Sequence, residues 1–274
     1  MKTFKFTKMV ASGNDFIVVD NRRKIFRNAA AFSQDLCRPH LGIGADGVLL
    51  VEPSQKAEFK MRILNPDGSE AEACGNGFRC VARYAQKKLG LGAQFNFESK
   101  SGLISASLNN SRVCIKMIDP YDYRPETSVR VPGRTFSYYF INAGVPHAVI
   151  FLTKPQLEAM EVERFGRAVR EHRKFKPKGT NVNFVYVADE HTVYVRTYER
   201  GVEAETLACG TGSTASAVVS GLAGFVKPPV SVHTRSGEVL VIGFSLSGTR
   251  VSQVTLDGEA RFVYEGVWNG NARI

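Results

Sequence analysis

Two cysteines occur in the same short motif and are well suited to acid–base chemistry. Cys74 lies in "EACGNGFRC" and Cys209 in "LACGTGSTA", and each opens a stretch whose pattern predicts a helix. A cysteine at a helix N-terminus faces unpaired backbone N–H groups and the positive end of the helix dipole, which favour its thiolate. The glycines allow successive amides to point at one spot, where a carboxylate can also bind.

Two such helix ends that meet head to head would support a two-base proton transfer. If both sets of amides bind the carboxylate of an amino acid, its α-carbon lies between the two sulfurs. One thiolate then removes the α-proton while the opposite thiol protonates the other face, without pyridoxal phosphate or a metal. The amides stabilise the charge that the carboxylate gains as the proton leaves. The motif pair therefore predicts cofactor-independent inversion of an amino-acid centre. A disulfide between the two cysteines would be an inactive, oxidised form.

An internal repeat supplies the elements that must position these cysteines. The chain matches itself at an offset of about 135 residues, in an order that chance does not explain. We therefore predict two similar halves, residues 1–127 with Cys74 and residues 128–274 with Cys209, with the joint in the proline-rich, charged stretch 119–133. The positions that coincide are Gly13 with Gly144, Gly44 with Gly179, Cys74 with Cys209, and Ser101 with Ser236.

Each half combines strands with inserted helices, which predicts an α/β (α+β) fold. Helices are predicted over 29–37, ended by Pro39, over 156–171, and directly after each motif cysteine. The helix after Cys209 is rich in Gly, Ser, Thr and Ala, which favours burial against close neighbours. Runs rich in β-branched and aromatic residues predict strands at "FIVVD", "GVLLVE", "EFKMRIL", "VNFVYVA" and "TVYVRTY".

Composition narrows the remaining classes of function. The net charge is +10, but the densest basic cluster, 170–178, lacks the interleaved aromatics of a nucleic-acid groove, so a solvated basic surface is favoured. Five cysteines are an odd number without framework spacing, which favours a reducing compartment. No leader-like segment and no run of about 18 apolar residues is present, so we expect a soluble, cytoplasmic protein.

Metal and nucleotide sites are not supported by the spacing of the candidate residues. No Cys-x-x-Cys pair exists, and neither Cys37 with His40 nor Cys74 with Cys80 has the partner pair that zinc requires. Neither "GNG" nor "GTG" completes a dinucleotide fingerprint or a P-loop. We therefore predict no metal and no bound cofactor.

The motifs together resemble the diaminopimelate epimerases over essentially the whole chain. They are "GNDF", "NPDGSEAEACGNGFRC", "GVPH", "TNVNF" and "YERGVEAETLACGTG", in this order. The resemblance implies a cofactor-free isomerase that interconverts LL- and meso-diaminopimelate, for lysine and peptidoglycan precursor synthesis, and a homodimer. It also implies two pseudosymmetric halves, each a β-barrel-like, mainly antiparallel sheet around a central helix, with the active site in the cleft between them.

The same resemblance implies roles for individual residues. Cys74 and Cys209 correspond to the acid/base pair, and His147 and Glu199 to the groups that assist them and hold the substrate α-amino group. The residues whose amides would bind the reacting carboxylate are Gly75, Asn76, Gly210 and Thr211. The residues that would bind the distal amino-acid group are Asn14, Asn65, Asn181 and Arg200.

Two departures from the family pattern bear on specificity. Val145 stands where many members have Asn, and Gly47 stands where many have Gln. Two distal contacts are thereby altered, which leaves open a racemase or epimerase of the same fold that acts on another amino acid. A proline-type enzyme is disfavoured, because a small cyclic substrate would not need the distal set.

Overall fold

The structure is a computed structural model that describes residues 3–26 and 28–269 of the 274-residue chain. Over these residues, no helix is long and apolar enough to cross a membrane. The helices are α1 (Ala29–Cys37), α2 (Gly75–Lys88), α3 (Lys154–Glu158), α4 (Val162–Arg170) and α5 (Gly210–Leu222), with a 3-10 turn at Arg173–Phe175. The strands are β1 (Phe4–Ala11), β2 (Asn14–Asp20), β3 (Gly47–Glu52), β4 (Lys60–Leu64), β5 (Glu70–Ala71), β6 (Gln94–Ser99), β7 (Gly102–Asn109), β8 (Arg112–Lys116), β9 (Tyr121–Val131), β10 (Arg134–Asn142), β11 (Pro146–Phe151), β12 (Asn181–Asp189), β13 (Thr192–Glu199), β14 (Ala204–Thr206), β15 (Val230–His233), β16 (Val239–Ser247), β17 (Arg250–Glu259) and β18 (Arg261–Trp268).

The chain divides into two compact units. Among the described residues, 3–115 and 258–269 form unit 1, and 116–257 form unit 2. The proline-rich stretch 119–133 contains β9, which pairs with β10 inside unit 2. The predicted domain boundary after residue 127 stays a prediction.

Strand pairing follows the same order in both units. Unit 1 runs β18-β1-β2-β3-β4-β6-β7-β8, with β5 beside β4 and parallel pairs only at β2–β3 and β4–β6. Unit 2 runs β9-β10-β11-β12-β13-β15-β16-β17, with β14 beside β13 and parallel pairs only at β11–β12 and β13–β15. The repeat in the sequence is therefore a repeat of topology, and each unit is mainly antiparallel.

A helix lies against the inner face of each sheet. In unit 1, α2 contacts β1, β2, β3 and β7, which come from both ends of the pairing order, so the sheet curls around it. In unit 2, α5 contacts strands from β10 to β16 in the same way. Nine of the thirteen residues of α5 are buried, and its small side chains permit that close packing.

The remaining helices cover the outer face of the central strands in each unit, which explains the unbroken apolar runs of those strands. Val48 and Leu50 of β3 pack in one cluster with Phe32 and Leu36 of α1, while the alternate residue Leu49 faces α2. A strand covered on both faces reads as a continuous apolar run rather than an alternating one. In unit 2, α3 and α4 cover β12 and β13 in this way.

The predicted helix over 156–171 is wrong in its continuity, because α3 ends before α4 begins. Arg196 of β13 donates from Nη1 to the carbonyl oxygens of Leu157 and Met160, each at 3.0 Å. Glu205 holds the same guanidinium by two bonds, at 2.7 and 2.8 Å. The carbonyls at the end of α3 are therefore satisfied by a side chain instead of by the next helical turn. The helix predicted over 29–37 is confirmed.

Candidate active site

Cys74 is the N-cap residue of α2. Its half-buried Sγ accepts the backbone N–H of Gly77 at 3.4 Å, and its carbonyl accepts that of Phe78 at 2.8 Å. A Cβ at Gly77 would lie 3.2 Å from Cε of Met61 and 3.3 Å from Cδ2 of Leu49. Glycine at this position therefore lets the first turn approach β3 closely, and that approach fixes the position of the sulfur.

Two predicted binding residues of unit 1 are joined beside this helix end. Asn76 donates from Nδ2 to Oδ1 of Asn14 at 2.6 Å, and Asn14 donates to Asp46 at 2.9 Å. The fully buried Arg79 donates from Nη2 to Asn76 Oδ1 at 2.9 Å and to Ser12 Oγ at 2.7 Å. Arg79 and Asp46 thus orient the two amides, and sequence reasoning missed both. The only sequence feature that pointed to Arg79 was its position in "GNGFR", one helical turn after Gly75 and so on the same side of the helix.

Asn65, a third predicted residue of unit 1, lies in the turn after β4. Its Nδ2 donates to Ser69 Oγ at 2.9 Å and its backbone N–H donates to the Ser69 carbonyl at 2.8 Å. The amide is therefore held by the turn that leads toward Cys74.

Cys209 is the N-cap residue of α5 and repeats the geometry of Cys74. Its buried Sγ accepts the N–H of Gly212 at 3.4 Å and lies 3.4 Å from Oγ1 of Thr211. Burial raises the pKa of the Cys209 thiol, and the Glu199 carboxylate raises it further, against smaller lowering contributions from Thr211 and Gly212. The unliganded protein therefore favours a protonated Cys209.

Glu199, at the end of β13, lies beside this thiol, and each group shifts the pKa of the other. Burial raises the pKa of Glu199, while the neighbouring Thr206 hydroxyl and Cys209 thiol lower it to a smaller extent. A carboxyl with a raised pKa next to a protonated thiol is a suitable partner for proton exchange.

His147, Asn181 and Arg200 are neighbours in unit 2. His147 on β11 pairs in register with Asn181 on β12, so both side chains lie on the same face of the sheet. Asn181 Oδ1 accepts the Arg200 N–H at 2.8 Å, and Arg200 Nη1 donates to the carbonyl of Lys178 at 3.0 Å. Burial, and secondarily the charge of Arg200, lower the pKa of the fully buried His147 to about 3. The imidazole is therefore neutral at pH 7.

A buried polar network behind His147 was not predicted from the sequence. Nδ2 of Asn183 lies 3.1 Å from Nδ1 of His147 and donates to the Ala148 carbonyl at 3.2 Å. Thr197, directly opposite Asn183 on β13, donates from Oγ1 to Asn183 Oδ1 at 3.0 Å. The available signal was the alternation in "TNVNF", which puts Asn181 and Asn183 on one face of the strand.

The predicted carboxylate-binding amides all lie at helix starts. Gly75 and Asn76 open α2, and Gly210 and Thr211 open α5, where backbone N–H groups have no acceptor within the helix. Within the described residues, no group of three or more His, Cys, Asp or Glu is arranged to hold a metal ion.

The two departures from the family pattern have different surroundings. A Cβ at Gly47 would lie 2.9 Å from the carbonyl oxygen of Leu64, so β3 and β4 pack here in a way that only glycine permits. Val145 is half-buried in the turn between β10 and β11 and offers no polar group. The chain therefore carries no side-chain amide at either position.

Comparison with known proteins gives matches over nearly the whole chain. The family profile described as diaminopimelate epimerase matches residues 6–122 and 139–263. A diaminopimelate epimerase of Aquifex aeolicus (strain VF5) is 44% identical over 274 residues, which cover 96% of each chain. The diaminopimelate epimerase of Hydrogenobaculum sp. (strain Y04AAS1) is 41% identical over 273 residues, covering 95% of this chain and 97% of the relative.

Solved structures share the fold at low sequence identity. A phenazine biosynthesis protein of the PhzF family from Bacillus anthracis superposes with a TM-score of 0.74 at 16% identity, covering 98% of this chain and 99% of the other. A probable proline racemase from Agrobacterium radiobacter K84 gives 0.70 at 14% identity, covering 96% and 92%. At such identities the likeness concerns the fold alone, and it confirms the predicted fold class.

Proposed function

The chain belongs to the diaminopimelate epimerase family and is an epimerase, and we propose that it interconverts LL- and meso-diaminopimelate with Cys74 and Cys209 as the acid/base pair. The observation that carries this proposal is the matched environment of the two thiols. Each caps the central helix of its unit, and each Sγ accepts an amide N–H three residues later at 3.4 Å. Sulfur at a helix N-terminus is stabilised as a thiolate, which is the form that removes a proton.

The protonation states of the two cysteines decide which sulfur starts as the acid and which as the base. Because burial and Glu199 keep Cys209 protonated in the free enzyme, Cys209 begins as the donor. The thiolate is then required at Cys74, which takes the α-proton and becomes a thiol as the C–H bond electrons pass to the α-carbon. The Cys209 S–H proton goes to the opposite face, leaving a thiolate there. Glu199, which lies beside Cys209, is the group through which that thiolate can regain a proton.

The charge that develops during this step falls on the substrate carboxylate. We propose that the first amides of α2 and α5 bind it, so that two helix N-termini face the oxygen atoms. Preorganised amides and dipoles stabilise such charge without rearranging during the reaction. The amides belong to Gly75, Asn76, Gly210 and Thr211.

The distal amino-acid group of the substrate is assigned to four polar side chains. Arg200 can bind its carboxylate in bidentate fashion, and the asparagine amides supply donors and acceptors of fixed orientation. The asparagines are Asn14, Asn65 and Asn181. Because Gly47 and Val145 contribute no amide, an epimerase that also accepts other amino acids is the second candidate.

Deuterium exchange at the α-carbon tests reaction and substrate together. The purified chain is incubated in heavy water, under reductant, with LL- and meso-diaminopimelate, lysine, glutamate and proline, and deuterium incorporation is followed by mass spectrometry. We expect exchange and epimerisation of diaminopimelate, no turnover by Cys74→Ala or Cys209→Ala, and normal turnover by Cys37→Ala, which removes a buried thiol of α1. Full turnover by either of the first two variants would refute the two-thiol mechanism. Exchange of another amino acid in preference to diaminopimelate would support the second candidate.

We propose two further properties, the first implied by the resemblance and the second by the composition of the chain. We expect a homodimer, located in a reducing, cytoplasmic compartment. Analytical ultracentrifugation of the reduced chain tests the first, and fractionation of cells that express the full chain tests the second.

A further inference from the structure

The orientation of the Asn183 side-chain amide follows from its neighbours. The Ala148 carbonyl can only accept, so the Asn183 atom 3.2 Å from it must be the NH2 group. The other side of the amide is the oxygen, which accepts from the Thr197 hydroxyl at 3.0 Å. The Ala148 carbonyl thus fixes which end of the amide faces which neighbour, and the Thr197 hydroxyl, which can donate, is satisfied by the same orientation.

This orientation determines where His147 carries its proton. The second N–H of the Asn183 NH2 group points at His147 Nδ1, 3.1 Å away. A protonated Nδ1 would place its own N–H against the N–H of Asn183, so Nδ1 must be the acceptor. A neutral imidazole with an unprotonated Nδ1 has its proton on Nε2.

The Nε2–H group has no partner in the part of the chain that the structure describes. Among the described residues, Nε2 of His147 is buried and has no hydrogen-bond acceptor. His147 itself has no exposed surface. Buried N–H groups are almost always paired, so one that is not indicates a ligand or a functional role.

The internal repeat provides a comparison that separates function from folding. Strands β2, β3 and β4 of unit 1 correspond to β11, β12 and β13 of unit 2. In unit 1, Phe16 of β2 pairs with Gly47 of β3, and Leu49 of β3 pairs with Ile63 of β4. Phe16, Leu49 and Ile63 therefore stand where unit 2 has the polar residues His147, Asn183 and Thr197. All three apolar residues are buried. Since the same topology forms with hydrocarbon side chains, the polar network is not needed to build it.

We propose that Asn183 is a positioning residue that holds the proton of His147 on Nε2, so that this ring donates a hydrogen bond to an anionic acceptor, a carboxylate or a thiolate. The identity of that acceptor rests on the proposed function, whereas the position of the proton does not. An ammonium group offers only donors and cannot pair with Nε2–H. The substrate α-amino group is therefore assigned to Glu199 alone. Of the roles that the family resemblance implies for His147, only donation of a hydrogen bond from Nε2–H to an anionic group remains.

The position of the proton is measurable without any enzyme assay. Two-bond 1H–15N spectra of histidine-labelled protein distinguish a protonated ring nitrogen from an unprotonated one, and His147→Phe identifies the relevant signals among the five histidines. We expect the wild type to show Nε2 protonated and Nδ1 unprotonated at neutral pH. A proton on Nδ1 in the wild type would overturn the inference.

Two variants test the role of Asn183. Asn183→Asp is nearly isosteric but only accepts, so we expect the proton to move to Nδ1 and kcat to fall at least about tenfold, with a smaller change in KM. The double variant Asn183→Leu with Thr197→Ile introduces the residues that unit 1 has at these positions. It should fold, show His147 as a mixture of the Nδ1-protonated and Nε2-protonated forms, and have kcat lowered by a factor similar to that in Asn183→Asp. Ser220→Ala, which removes another fully buried hydroxyl of unit 2, is the control and should keep the wild-type spectrum and kcat. Nε2 protonation with unchanged kcat in both Asn183 variants would contradict the proposal.

Two further arms distinguish the acceptors and separate this inference from the proposed function. A downfield shift of the Nε2–H proton on adding diaminopimelate indicates a carboxylate, and the same shift in the ligand-free enzyme as its thiols ionise indicates a thiolate. Absence of both shifts would overturn the assigned acceptor. If the proton lies on Nε2 and moves in Asn183→Asp, but diaminopimelate is not exchanged, the function fails while the positioning role stands.

Discussion

Gly212, in the first turn of α5, is a position where one added methyl group should disturb both stability and turnover. A Cβ there would lie 2.5 Å from Asn183 Oδ1, 3.2 Å from Cys209 Cβ and 3.3 Å from Cys209 Sγ. Contacts below 3.0 Å are essentially never made by real Cβ atoms. Asn183 cannot turn away freely, because Thr197 and Ala148 hold its amide. Gly212→Ala must therefore move the helix end, the asparagine, or both.

The expected size of the effect follows from these contacts. Overpacking a buried site costs about 1–3 kcal/mol, and loss of the hydrogen bond from Thr197 adds about 1 kcal/mol. Alanine recovers at most about 1 kcal/mol through its higher helix propensity. The free energy of unfolding should therefore fall by about 1–4 kcal/mol for Gly212→Ala. Turnover should fall as well, since the sulfur of Cys209 is among the atoms that must move.

Two matched variants make the experiment decisive. At Gly77, the counterpart in α2, the added Cβ would lie 3.2 Å from Met61 Cε, 3.3 Å from Leu49 Cδ2 and 3.6 Å from Cys74 Cβ. None of these contacts is below 3.0 Å and the two shortest are to the ends of flexible side chains, so Gly77→Ala should change stability less than Gly212→Ala does. At Gly92 an added Cβ would have no neighbouring side chain or backbone atom within 4 Å, so Gly92→Ala serves as the neutral control. Stability is measured by urea unfolding and turnover by kcat/KM on diaminopimelate. If Gly212→Ala were as stable and active as Gly92→Ala, the described contact between α5 and Asn183 would be wrong.

Three further predictions concern buried groups. The pKa of Glu199 is raised in the folded protein, so as the pH rises this carboxyl ionises in the unfolded chain before it ionises in the folded one. Glu199→Gln should therefore have a higher urea midpoint than the wild type at neutral pH and the same midpoint below about pH 4. Equal midpoints at both pH values would contradict the raised pKa. The pKa of His147 is about 3 in the folded protein and about 6.5 when unfolded, so stability is lost as the pH falls through this window. His147→Phe should lose less stability over the same acid titration, and an unchanged pH slope would count against a neutral, buried ring. Arg79→Lys removes charge-assisted bonds to Ser12 and Asn76 and should lower the free energy of unfolding by about 2 kcal/mol or more and raise KM; a wild-type KM would mean that Arg79 does not orient Asn76 for binding.

Sequence reasoning succeeded where a feature is local. The motif of Cys74 and Cys209 contains its own cap geometry, because the glycine three residues on supplies the N–H that the sulfur accepts. The apolar run of β3 likewise predicted its strand to the residue. The repeat, read from spacing alone, anticipated the duplicated topology. The resemblance to the diaminopimelate epimerases is confirmed by the family match.

Features that depend on tertiary register were missed. Thr197 orients Asn183 only because β12 and β13 pair in one particular register, which no local pattern specifies. Arg196 ends α3 from a strand that follows much later in the chain, so the amphipathic pattern of 156–171 looked continuous. Arg79 is buried among polar atoms of other elements, although arginine by itself predicts a surface position. In each case the decisive partner is distant in sequence.

The cap that each sulfur forms has a practical use for following the chemistry. A thiolate attracts the amide protons of Gly77 and Gly212 more strongly than a thiol does, so the resonance frequency of each amide should change when its own cysteine ionises. These two signals come from different helices and need no probe attached to the site. A single pH titration of the uniformly labelled protein would therefore reveal in which order the two cysteines lose their protons.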